Sequence, residues 1–177
     1  MLRMLLVLLL IPLCDARAQW IDKQGNTLPN AEDRKSVGTF GAEIIFTTDP
    51  DALEQRWATP SDTVHVDSVD SVRINQPISA FIVFSGCKPT ASRTCNVSMS
   101  FRVIQPDGKQ YAATPSMEVW HDKPAPTRHG LALSVEYLKI RIEPHEQRGR
   151  YVVQVEVRDE ISGDVISLTK TFVARDG

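Results

Sequence analysis

Regular alternation of apolar and polar side chains in the second half of the chain is the feature that most constrains its fold. The clearest run is YVVQVEVR at 151–158, where every second residue is apolar and most residues between are polar. A second run, VSMSFRV at 97–103, has the same period. Because side chains of a strand point alternately to the two faces of a sheet, both runs predict half-buried β-strands.

Further strand-like runs follow one another, separated by turn residues. The run ISAFIVF at 78–84 is apolar at nearly every position, which is typical of a strand covered on both faces. Shorter runs lie at 41–48, 69–74, 111–120, 131–142 and 165–173, with turns at PDGK (106–109) and ISGD (161–164). Seven or eight such strands predict an all-β, antiparallel sandwich, and the same spacing also suits a small barrel.

Three local signals refine this prediction. Pro115 interrupts the run at 111–120 and indicates an edge strand or a bulge. The alternation restarts out of phase at Tyr137-Leu138, which indicates a bulge or corner. One short helix is expected after residue 48, because Asp49 can cap its free amides and Pro50 suits its first position.

The first eighteen residues have the layout of a secretory signal peptide. Arg3 precedes a leucine-rich run at 4–13, and small residues stand at Ala16 and Ala18. The apolar run is about half of the roughly 20 residues that a membrane span needs. We expect cleavage after Ala18, a mature chain without a transmembrane segment, and a periplasmic or secreted location.

The mature chain is predicted to have two parts. Residues 19–40 are polar, carry no apolar period and are expected to form an irregular N-terminal arm. Residues 41–177 are expected to form a single β-sandwich domain, which is an ordinary length for one domain.

Cysteine usage predicts one disulfide. Cys14 leaves with the signal peptide, so Cys87 and Cys95 remain as an even pair in an oxidising compartment, and we expect them to be bonded to each other. Two alternatives are disfavoured. The first is lipid attachment at Cys14, but a lipid-bearing cysteine normally has a smaller residue before it than Leu13. The second is a zinc site at Cys87 and Cys95, which would need two further ligands.

Charge and reactive residues indicate no catalytic, metal or cofactor site. The chain has 20 Lys and Arg against 22 Asp and Glu, and the basic residues are scattered along the sequence, so we expect no nucleic-acid or other polyanionic partner. His121 and His129 flank a proline-containing loop at 121–130, but a hydrolytic metal site needs three ligands. Ser85-Gly86-Cys87 lacks the flanking glycines of a nucleophile elbow.

The proline-containing loop is instead a candidate interaction site for a protein partner. An aromatic residue at the head of an exposed loop can anchor a protein interface, although packing into the core is the favoured role for Trp120. The candidate interaction residues are Trp120, His121, Lys123, Arg128 and His129.

The segment PHEQRGRYVVQVEVR at 144–158 resembles the corner and sixth strand of immunoglobulin-like domains. Gly149 and Tyr151 match the small residue and the tyrosine of that corner, whose hydroxyl returns to the backbone. Gln147 stands where Asp is commoner, and Val153 stands where antibody domains place a cysteine. Similar corners occur in fibronectin-like and macroglobulin-like domains.

Longer strings are similar to a family of short exported proteins of Gram-negative bacteria. These strings include FIVFSGC, CNVSMSFRVIQPDG, LKIRIEP and GRYVVQVEVRDEISG. The resemblance implies a periplasmic location and an immunoglobulin-like fold, and it implies no activity and no catalytic residues.

Together these observations predict a non-catalytic, exported binding or structural accessory module with a protein partner in the cell envelope. The first alternative is an inhibitor or immunity protein against an exported enzyme, which needs the same fold and one tight target. The second is a metal-dependent hydrolase that uses the loop histidines.

Overall fold

A computed structural model describes residues 20–21, 26–59, 68–126 and 130–177. The predicted signal peptide and its cleavage site lie outside these residues. The described elements are β1 (Trp20–Ile21), β2 (Thr27–Leu28), β3 (Arg34–Val37), β4 (Phe40–Thr47), α1 (Pro50–Ala58), β5 (Ser71–Arg73), β6 (Ile78–Ser85), β7 (Thr94–Ile104), β8 (Gln110–Ala113), β9 (Met117–Pro124), β10 (Ala132–Leu133), β11 (Leu138–Ile140), β12 (Gly149–Asp159) and β13 (Val165–Arg175).

The longer strands form two sheets that pack face to face. The first sheet has the order β10-β6-β4-β3, and β11 also pairs with β6. The second sheet has the order β5-β13-β12-β7-β8, and β9 also pairs with β7. Among the described strands, β5 and β13 run parallel and the other pairs are antiparallel. The predicted antiparallel sandwich is therefore confirmed.

The structure corrects the predicted strand count and several boundaries. Its described part has thirteen strands rather than seven or eight. The run at 111–120 is divided around Pro115 into β8 and β9, and β9 continues to Pro124 into the segment predicted as a loop. The predicted irregular arm at 19–40 contains β1, β2 and β3. These strands are only two to four residues long, too short to show an alternating pattern, so pairing with a neighbour determines them.

Inward-facing residues of both sheets form the main core. The aromatic ring of Tyr151 stacks on Phe172 with centroids 5.3 Å apart, and Phe46 meets Phe172 edge-on at 5.9 Å. Alternate residues of β7, β12 and β13 complete this layer, as the sequence pattern predicts.

The first sheet is also covered on its outer face. Every residue of β6 from Ile78 to Phe84 is buried, because Phe81 and Val83 face a second apolar cluster that includes Leu53 of α1. Trp57 and Trp20 pack against the same cluster. The helix begins as predicted, with the Asp49 side chain accepting a hydrogen bond from Ala52 N at 3.0 Å. Within the described residues, no helix is long and apolar enough to cross a membrane.

The corner before β12 is the tyrosine corner of an immunoglobulin-like domain. The Tyr151 hydroxyl donates a hydrogen bond to the Gln147 carbonyl oxygen at 2.8 Å, and burial raises the pKa of this hydroxyl, which keeps it a donor. Gly149 has φ +123°, a backbone conformation that side-chain-bearing residues rarely adopt. Strand β12 lies between β7 and β13, as the sixth strand of an immunoglobulin sheet lies between the third and the seventh.

A charged side chain interrupts the inward-facing row of β13. The Lys170 ammonium lies 2.8 Å from the Asp33 carboxylate, just before β3, and 5.8 Å from the Phe46 ring centroid. Partial burial raises the pKa of Asp33, but the hydrogen bond and charge of Lys170 outweigh this effect, so the pKa lies below the usual 3.8. The pair connects the segment before β3 to the second sheet.

We predict that Asp33→Asn destabilises the protein in a pH-dependent way. A depressed folded-state pKa means that the stabilisation is present above the unfolded pKa and is lost as pH falls through the folded pKa. Because Asp33 is more than one third exposed, we expect a loss of about 1 kcal/mol near neutral pH and convergence with the parent protein in strong acid. Urea denaturation at both pH values measures the difference.

The matched control is Glu32→Gln, which removes an exposed carboxylate 3.5 Å from Lys35. We expect this variant to lose less than about 0.5 kcal/mol. An Asp33→Asn deficit that is unchanged in acid contradicts the role of the pair.

Candidate binding site at the disulfide end

Three segments meet at one end of the sandwich. The connection from β6 to β7 covers residues 86–93, the end of β9 covers 121–124, and the turn from β12 to β13 covers 160–164. They converge because the start of β7 pairs with the last residues of both β9 and β12. We call this region, 86–94, 121–126 and 160–164, the disulfide end.

A disulfide closes the first of these segments. Cys87 and Cys95 are both buried and bonded, with Cα atoms 6.2 Å apart, which confirms the predicted pairing. Inside the closed loop, Thr90 N donates to Thr94 O at 2.8 Å and Arg93 N donates to Thr90 O at 3.0 Å. The loop is therefore held by its own backbone as well as by the covalent bond.

A fully buried carboxylate joins the first segment to the third. Asp159 is 0% exposed, and its side chain accepts hydrogen bonds from Lys88 N at 2.6 Å and from Ile161 N at 3.0 Å. Ser162 N approaches the same oxygen as Ile161 N at 3.4 Å. A carboxyl group that is buried needs hydrogen bonds in place of those that water would make, so its bonds to Lys88 N and Ile161 N hold the loop and the turn together.

Asn96 joins the second segment to the third. Its side-chain oxygen accepts a hydrogen bond from Asp122 N at 2.8 Å, and its backbone carbonyl accepts one from Glu160 N at 2.9 Å. Ala125 N donates to Arg93 O at 3.0 Å, which ties β9 to the disulfide loop as well. The disulfide end is thus one connected surface.

The structure places three of the five predicted interaction residues on β9. Trp120 is half-buried, meets Phe84 edge-on at 5.6 Å and donates its indole N–H to Pro124 O at 3.1 Å. The Lys123 ammonium lies 5.0 Å from the Trp120 ring centroid. Trp120 therefore supports the surface from beneath, while Lys123 is exposed. Arg128 and His129 lie outside the described residues.

His121 is exposed and has acidic neighbours. Its Nδ1 lies 3.5 Å from Glu118 Oε1 and its Nε2 lies 3.5 Å from Asp122 Oδ2. In the described part of the chain, no group of three or more His, Cys, Asp or Glu residues is arranged to hold a metal ion. His129, the second histidine of the hydrolase hypothesis, lies outside that part.

Sequence reasoning missed the residues that organise this end. Asp159 comes just before a glycine-containing turn, and an aspartate at that position favours side-chain hydrogen bonds to the turn backbone. That signal identifies the contact with Ile161. The contact with Lys88 crosses 71 residues of sequence and has no local signal.

We predict that Asp159→Asn loosens the disulfide end. The amide keeps the shape of the side chain but has one acceptor oxygen instead of two. Its NH₂ group would face a backbone N–H that needs an acceptor. We expect a loss of about 2 kcal/mol in the free energy of unfolding, measured by urea denaturation of the oxidised protein.

Asp164→Asn on the same turn is the matched control. The Asp164 carboxylate accepts no hydrogen bond among the described residues, so its variant should lie within about 0.5 kcal/mol of the parent. Equal losses in the two variants contradict the organising role of Asp159.

Comparisons with known proteins give weak likenesses. No family model matches this sequence, and no curated protein matches it. A family 123 glycoside hydrolase from Clostridium perfringens is 16% identical with a TM-score of 0.42, over 78% of this chain and 28% of that chain. The C-terminal domain of wzt is 12% identical with a TM-score of 0.43, over 81% and 78%. An immunoglobulin-like protein from Pseudomonas aeruginosa is 16% identical with a TM-score of 0.30, over 66% and 86%. At these TM-scores the likenesses carry no argument about function.

Proposed function

We propose that this protein is a non-catalytic, exported binding module that engages a protein partner in the cell envelope through its disulfide end. The observation that carries the proposal is the linkage of three separate segments into one surface by the disulfide, Asp159 and Asn96. A surface that is ordered before binding loses less conformational entropy when a partner docks.

The position of this surface in the fold supports the same function. Loops that connect the strands at one end of an immunoglobulin-like sandwich are the recognition loops of antibody variable domains. Here the corresponding end presents exposed charges of both signs around the half-buried Trp120. The exposed charged residues are Lys88, Arg93, His121, Asp122, Lys123 and Glu160.

Export is the second part of the proposal. A structural disulfide persists in an oxidising compartment, and Cys87 and Cys95 form one. The layout of residues 1–18 supplies the signal that would bring the chain there.

Site-specific photo-crosslinking in native cells tests this function. A photoreactive residue at Arg93 is expected to give a discrete protein adduct, because the Arg93 side chain is exposed on the disulfide loop. The same residue at Gln55, exposed on α1, is the matched control and should not give that adduct.

Two further outcomes complete the test. Lys123→Glu should weaken the Arg93 adduct, because Lys123 is exposed on the same surface, and loss of its contact with the Trp120 ring should lower the free energy of unfolding by no more than about 1 kcal/mol. Absence of an Arg93-specific adduct contradicts the proposal. An adduct with an exported enzyme whose activity falls on binding would identify the protein as an inhibitor rather than an accessory module.

A further inference from the structure

Five arginines that are far apart in the sequence lie on one face of the protein. In the second sheet the inward-facing residues form the core, and the residues between them point outward. The outward positions include one arginine each from β5 and β7, two from β12 and one from β13. These residues are Arg73, Arg102, Arg150, Arg158 and Arg175. We call this surface the arginine face.

The arginine face is strongly positive although the chain is not. On its four strands Glu156 is the acidic residue that points outward, which gives a formal charge of +4, whereas the whole chain has −2. All five arginines are exposed, and none makes a side-chain hydrogen bond or ion pair within the described part of the chain. Acidic residues flank these four strands in the sequence at Asp70, Asp107, Glu160, Asp164 and Asp176, and Glu118 lies on the neighbouring β9.

Three of the bordering carboxylates already have partners. Glu118 lies 3.5 Å from His121, Glu160 bonds to the Ser98 hydroxyl, and Asp176 lies 3.1 Å from Arg148. Among the described residues, these three carboxylates are therefore directed to groups other than the five arginines. The scatter of basic residues along the sequence led us to expect no basic face, but strand register brings these five together.

The arginines are distributed over two dimensions rather than along a line. Arg150 and Arg158 are eight residues apart on β12, roughly 26 Å, and the four strands span about 14 Å across the sheet. Arg102 lies between them, opposite Gln154, and Arg73 lies beside Arg175. An extended acidic peptide would follow one line, and a single small anion would need converging groups. A planar array of separate anions matches this spacing.

Within the part of the chain that the structure describes, the arginine face has no protruding aromatic anchor. Its centre is a partly open depression of about 410 Å³, and the polar residues that line it are short hydroxyl side chains together with Arg102, Gln154 and Glu156. The outward apolar residues on its strands are Ile104, Val152, Val165 and Val173, with no aromatic residue among them. A membrane would therefore be bound at its surface by electrostatic attraction, without insertion of side chains into the acyl region.

We propose that the arginine face adsorbs to an anionic phospholipid bilayer, with lipid phosphates opposite the guanidinium groups. Guanidinium matches phosphate geometry and is always charged, so the attraction is independent of pH above the phosphate pKa. When the strands lie parallel to the bilayer surface, the loops at their ends point along the membrane rather than into it. The disulfide end therefore remains accessible to a partner. This inference does not rest on the proposed protein-binding function.

Vesicle sedimentation with the oxidised protein tests the proposal. Binding is expected to vesicles of phosphatidylglycerol with phosphatidylcholine and not to phosphatidylcholine alone, and it should be lost in high salt because screening removes the attraction. The double variant Arg102→Gln with Arg150→Gln should lower partitioning by about 30-fold, since each arginine near an anionic surface contributes about fivefold.

The matched control is Lys139→Gln with Arg141→Gln, which removes two exposed positive charges from outside the arginine face. Partitioning of this control should stay within about twofold of the parent, and urea midpoints should show that both variants fold. An equal loss in the two variants overturns the proposal. So does binding to soluble poly-glutamate without binding to anionic vesicles, which would indicate an acidic polymer as the ligand.

Discussion

The buried carboxylate of Asp159 is the interaction on which the organisation of the disulfide end depends. It accepts backbone hydrogen bonds from Lys88 on one connection and from Ile161 on another, while the turn between β12 and β13 closes around it. The side chain is fully buried, so a movement that separates the two segments leaves a buried polar group without its hydrogen-bond partners. Asn96, which accepts hydrogen bonds from Asp122 N and Glu160 N, joins the end of β9 to these two connections, so the three form one surface.

The two sheets of the sandwich have different outer faces. The outer face of the first sheet is apolar and is covered by α1, Trp20 and Trp57. The outer face of the second sheet is polar, carries five arginines and is exposed in the described part of the chain. The two proposals therefore concern separate surfaces, the charged face of the second sheet and the disulfide end, and neither requires a rearrangement of the core.

Much of the fold follows from the sequence because its signals are local. The period at 151–158 predicts β12, the apolar run at 78–84 predicts the doubly covered β6, and Asp49-Pro50 predicts the start of α1. The candidate site can be predicted from the sequence only in part. The pairing of Cys87 with Cys95 is predictable from cysteine count, whereas the contact of Asp159 with Lys88 and the assembly of the arginine face depend on strand register. The strands of residues 19–40 also escape prediction, because they form by pairing and not by alternation.

Backbone ¹⁵N relaxation of the free, oxidised protein tests the central claim most directly, since the claim is that the disulfide end is ordered before any partner binds. We expect order parameters of about 0.85 for the amides of Lys88, Arg93 and Ile161, equal to those of β12. Values below about 0.6 at these amides, beside rigid values in β12, would contradict it.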